Sequence, residues 1–71
     1  MYIAIGNSII FAHRASGEQT IRAQTATHAD ATRASELLNR AGYLNDHKRR
    51  YTAAARTIAQ AESVAGFRWI D

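Results

Sequence analysis

The residues of this chain best suited to chemistry are its cations. Eight of the nine are arginines, and the densest run is His47-Lys48-Arg49-Arg50. A guanidinium makes forked hydrogen bonds to carboxylate or phosphate and stacks on flat groups. The run falls in the first turn expected of a helix, where the macrodipole disfavours a cation by about 0.3–1 kcal/mol. A local rule broken without local benefit tends to mark function. Lys48, Arg49 and Arg50 therefore read as a docking patch for acidic side chains or phosphates, extended by Arg56 one or two turns further on. The competing reading is a solvated face, or a helix that begins later, near Tyr51.

A second candidate surface lies in the first third of the chain. Tyr2, Ile9, Phe11 and His13 share one strand face, with Thr20, Arg22 and Gln24 beside them. Left open, it would serve as a protein interface or as a stacking platform for single-stranded nucleic acid. Covered by the second helix or by the tail at residues 67–70, it would be core. The binding candidates are thus Lys48, Arg49, Arg50 and Arg56, then Tyr2, Phe11, His13 and Arg22.

Catalytic and metal-binding patterns are not found. His13, His28 and His47 lack partners at metal-ligand spacing, and there is no cysteine. Ser8 and Ser16 lie in turns without a nucleophile-elbow glycine pattern. The four glycines fall at turns or caps and form no phosphate loop. We expect a non-enzymatic protein with no metal and no cofactor.

The elements that must position these residues follow from turn and cap signals. Tyr2–Ile5 reads as a strand, Gly6-Asn7 as a two-residue turn, residues 8–14 as a second strand, Ser16-Gly17 as another turn and residues 18–25 as a third strand. One strand over residues 2–14 with a bulge at Gly6 is the alternative. The hairpin register pairs Ile3 with Ile10, Ala12 with Ile21 and Ile10 with Ala23. It gathers Ile3, Ile5, Ile10, Ala12, Ile21 and Ala23 on one coherent apolar face.

Thr27 to Asp30 has capping-box spacing, and Ala31, Ala34, Leu37, Leu38 and Ala41 recur at helical period after it. Gly42 and Tyr43 suit a Schellman ending, with Tyr43 against Leu38. A second helix is expected from Asn45 or Asp46 to about Ala65, burying Tyr51, Ala54, Ile58, Ala61 and Ala65. Gly66 ends it, and residues 67–71 form a short strand or an extended aromatic tail. The fold class is α+β, an N-terminal antiparallel meander followed by two helices and that tail, in one domain of residues 1–71.

Composition sets the limits. A chain of 71 residues buries only about 60% of its unfolded surface. Fifteen alanines stand against seven isoleucines, three leucines and one valine, so the core is thin. No disulfide can staple it, which leaves a partner or a homodimer to cover apolar surface. The net charge of +3 favours an acidic partner. Residues 1–12 are apolar but too short to span a bilayer, and they lack the basic start of a signal peptide, so we expect a cytoplasmic protein with no membrane partner.

A small, staple-free, alanine-rich α+β chain ending in Phe67-Arg68-Trp69-Ile70-Asp71 resembles accessory proteins of phages and mobile elements, of the anti-CRISPR and anti-defence inhibitor kind. That resemblance rests on general build and on no diagnostic motif. It implies stoichiometric occlusion of a host protein or nucleoprotein complex. Many such inhibitors are acidic DNA mimics, and the +3 charge departs from them. The stretch from Thr20 onward also looks like a ribbon-helix-helix repressor. That likeness implies base readout by Thr20, Arg22 and Gln24, with residues 46–50 near phosphate. It requires the third strand on an open edge, paired with its own copy.

Overall fold

The computed structural model describes residues 1–41 and 52–70. Their order is β1 (Tyr2–Ile5), β2 (Ser8–Ala12), β3 (Gln19–Gln24), α1 (His28–Arg40), α2 (Thr52–Glu62) and β4 (Arg68–Trp69). The strands form one antiparallel sheet in the order β1-β2-β3-β4. The fold is the α+β arrangement expected: a three-stranded meander, two helices and a short C-terminal strand. The Gly42-Tyr43 helix ending, the His47-Lys48-Arg49-Arg50 run and Tyr51 lie outside the described residues.

The first hairpin has the expected register, with Ile3 opposite Ile10 and Ile5 opposite Ser8 around the Gly6-Asn7 turn. The second differs. Its loop spans residues 14–17, closed by His13 N–H to Glu18 O and Gly17 N–H to His13 O, both at 2.8 Å. Ala12 therefore pairs with Gln19 instead of Ile21, and Ile10 pairs with Ile21 instead of Ala23.

Beyond Ile10 the ladder shifts by one residue, because Ile9 faces Ala23 and Arg22 is the extra residue of a bulge. The reason is electrostatic. An unbulged ladder would set Arg22 opposite Ile9 on the core face, where desolvating a guanidinium is costly. The bulge turns Ala23 inward in its place, and Ala23 is fully buried.

Thr27 caps α1 as its sequence requires: Oγ1 accepts the Asp30 N–H at 3.2 Å and the hydroxyl donates to Asp30 Oδ2 at 2.8 Å. Behind the cap, Ala31, Ala34, Ser35 and Leu38 are buried. In α2, Ile58 and Ala61 are buried as expected. Ala65 is exposed, and Val64 takes the inner position instead. The helix stops at Glu62, and a tight turn follows, with Val64 N–H to Ala61 O and Phe67 N–H to Val64 O. The change of rise re-aims the apolar residue by one position.

Gly66 sits at that exit with φ +70°, and a Cβ there would stand 2.6 Å from Ala26 N. The neighbouring Ala65 carbonyl accepts the Ala26 N–H at 3.0 Å. This contact ties the C-terminal turn to the loop before α1 and delivers residues 67–70 to the edge of β3.

One core results. Tyr2, Ile9, Phe11 and Ala23 of the sheet meet Ala31, Ala34 and Leu38 of α1 and Ile58, Ala61 and Val64 from α2 and its exit. Phe67 and Trp69 pack against its margin, edge to face at 5.1 Å. Alanine faces on both helices leave volume that only large sheet residues fill. Tyr2 and Phe11 supply it, their rings 5.0 Å apart at 64°.

Candidate functional site

Strand alternation sorts the sheet into two faces. Toward the helices lie the cross-strand rows Tyr2–Phe11–Thr20 and Ala4–Ile9–Ala23–Trp69. Away from them lie Ile3–Ile10–Ile21 and Ile5–Ser8–Gln24–Arg68. The outer face also takes in Met1, Ala12 and Gln19. No described element packs on it. Ile5 is 51% and Ile21 50% exposed, while Ile10, between Ile3 and Ile21, is nearly closed off. Ile10 is also absent from the core cluster, as its side of the sheet requires.

This arrangement corrects the expectation for Tyr2 and Phe11. The aromatic face is the inner one, covered by the helices, with Tyr2 at 2% and Phe11 at 8% exposure, so neither ring offers a surface to a partner. The isoleucine face, which hydrophobicity alone would place inside, points outward. His13 is exposed at the end of the inner face, its ring edge-on to Phe11 at 4.6 Å. Arg22 is half-buried at the bulge, and its carbonyl accepts the Ile70 N–H at 2.7 Å. Arg56 is exposed on α2, on the helical side and away from the outer face. Lys48, Arg49 and Arg50 lie outside the described residues.

Charge on the outer face is sparse and of one sign. Arg68 stands at its β4 end and donates from one terminal nitrogen to Gln24 Oε1 at 2.7 Å. No carboxylate belongs to any of its rows. The Met1 ammonium, which donates to Ala12 O at 3.2 Å, is held below its ordinary pKa, first by desolvation and then by Arg14.

The edge of the sheet is closed off differently. The Tyr2 N–H donates to Asn39 Oδ1 at 2.7 Å, and Asn39 Nδ2 donates back to Tyr2 O at 2.8 Å. His28 Nδ1 lies 2.7 Å from the Gly6 carbonyl, so that nitrogen carries the proton. Asn7 and Thr25 tie the hairpin to the end of β3 through Asn7 Nδ2 to Thr25 O at 3.1 Å and Thr25 N–H to Asn7 O at 2.9 Å. At the far edge, Trp69 Nε1 donates to Glu62 Oε2. On the β1 side the backbone edge is thus occupied at Tyr2 and Gly6, on either side of Ala4.

Among the described residues no group of three or more His, Asp or Glu side chains is placed to hold a metal ion. No described helix is long and apolar enough to cross a membrane. Neither a protein-family model, nor a curated protein, nor a solved structure matches the chain.

Proposed function

We propose that this chain is a non-enzymatic binding protein that occludes a surface of a larger host macromolecule in a stoichiometric complex, as small phage-encoded inhibitors of the anti-CRISPR type do. The observation that carries the reading is the half exposure of Ile5 and Ile21 on a sheet face free of any described element. Soluble domains seldom leave aliphatic residues clustered on one open face, and such a cluster marks an interaction site. The chain is also short of core, so binding adds apolar burial that it lacks by itself. Its histidines take structural parts: His28 bonds the Gly6 carbonyl, and His13 packs on Phe11. The ribbon reading loses ground for a topological reason. β3 is flanked by β2 and β4, and β4 occupies the edge that a second ribbon would need at Arg22–Gln24.

The test compares the wild type with the Ile5→Asp plus Ile21→Asp variant, after circular dichroism has shown that both fold. A host-cell lysate is passed over each, and the mass of any retained complex is measured under native conditions. One species held at one-to-one stoichiometry by the wild type and lost by the variant is expected. Retention of the same species by both, or of none by either, overturns the reading.

A further inference from the structure

Resting on the assignment of the outer sheet face as the docking surface, we infer that its occupant is a protein surface pairing an apolar patch with an Asp or Glu carboxylate that meets Arg68, and not a second copy of this chain. The face is aliphatic at its centre, with the Ile3–Ile10–Ile21 row running straight across three strands. Its next row ends in the guanidinium of Arg68, anchored to Gln24 by one of the five N–H groups that an arginine carries. A complementary surface therefore offers aliphatic or aromatic side chains to the isoleucines and a carboxylate at one end.

Among the described residues, this face of a second copy supplies no such carboxylate. Two identical faces related by a two-fold axis bring together only what each already holds. The rows of this face contain Met1, Ile3, Ile5, Ser8, Ile10, Ala12, Gln19, Ile21, Gln24 and Arg68, with no Asp or Glu among them. Within these described rows, Arg68 of one copy meets an amide, a hydroxyl, an aliphatic chain or another cation, and no carboxylate. Nucleic acid is also a poor complement, because it calls for stacking rings and a line of cations, and among the described residues the rows of this face hold one guanidinium and no ring. Docking by strand addition is disfavoured as well, since Asn39 and His28 occupy the β1 edge on either side of Ala4.

The experiment uses a displayed library of random peptides selected against wild type, Arg68→Glu and Ile21→Asp, each shown to be folded by circular dichroism, with solution mass recorded by light scattering. Peptides combining aliphatic or aromatic residues with Asp or Glu are expected on the wild type, with binding weakened about tenfold or more by Ile21→Asp. Arg68→Glu should select Lys or Arg in place of the acid. Apolar peptides without acidic bias that are still lost on Ile21→Asp would overturn this inference and leave the docking face standing. Binding indifferent to Ile21→Asp overturns both. A dimer that Ile21→Asp splits makes the second copy the occupant and overturns the inference.

Discussion

The side-chain amide of Asn39 forms two hydrogen bonds with the backbone of Tyr2, accepting from its N–H at 2.7 Å and donating to its carbonyl at 2.8 Å. The residues are 37 apart in sequence, and the contact reproduces what a neighbouring strand would make. In the antiparallel ladder Met1 bonds Ala12, so alternation turns the Tyr2 N–H and C=O to the outer edge. Asn39 therefore fixes α1 against the sheet and also blunts an edge that would otherwise invite another strand.

Replacing Asn39 by Ala leaves two partly buried backbone groups without these bonds. A loss of about 1–3 kcal/mol is expected in urea unfolding, by the cost of unsatisfied buried polar groups. Self-association should rise with concentration in light scattering as the β1 edge opens. Unchanged stability together with unchanged mass would show that water serves Tyr2 equally well.

Gly66 and Gly17 separate two effects of a Cβ. Both have positive φ, +70° and +73°, yet a Cβ meets Ala26 N at 2.6 Å in the first case and nothing within 4 Å in the second. Gly17→Ala should cost about 1 kcal/mol, the conformational penalty of the left-handed region. Gly66→Ala should cost clearly more, since the Ala65–Ala26 bond must also give way. Equal losses in thermal unfolding would count against the close approach.

Ser35 is 4% exposed on the buried side of α1, and its hydroxyl has no hydrogen-bond partner among the described residues. Ser35→Ala should leave stability unchanged or raise it by about 1 kcal/mol, because alanine removes a buried polar group and is the better helix former. A loss above that size would reveal a partner for the hydroxyl.

Ile9 and Ile21 have the same side chain on opposite faces, with 0% and 50% exposure. Ile9→Ala should destabilise by about 2–5 kcal/mol, the usual cost of emptying a core site. Ile21→Ala should cost about 1 kcal/mol or less, since much of that side chain already meets solvent. Guanidinium unfolding of the two variants tests the assignment of inside and outside, and a reversed order would sink it.

Local signals carried the element order. Thr27 and Asp30 mark the start of α1 because a side-chain oxygen three residues from an N–H can satisfy it without tertiary help. Gly6-Asn7 marks the first hairpin, and the register there follows from a short loop. Less of the candidate site was legible. A regular ladder is the expectation for Arg22, whereas a bulge takes it off the core row and sets Ala23 opposite Ile9. The signal for the true inner face was present in the helices. Faces lined by Ala31, Ala34 and Ala61 are too small to pack against a flat isoleucine sheet and call for rings such as those of Tyr2 and Phe11.

By itself the sequence determined the α+β class, the meander, the capped first helix, the alanine stripes and the excess of arginine. These depend on period, turn chemistry and composition, which act over a few residues. Only the tertiary structure decided which sheet face is covered. Both faces are apolar enough to be buried, so hydrophobicity cannot choose between them. The choice falls to shape: aromatic residues fill the space above alanine helices, and the isoleucines are left on the face that no described element covers.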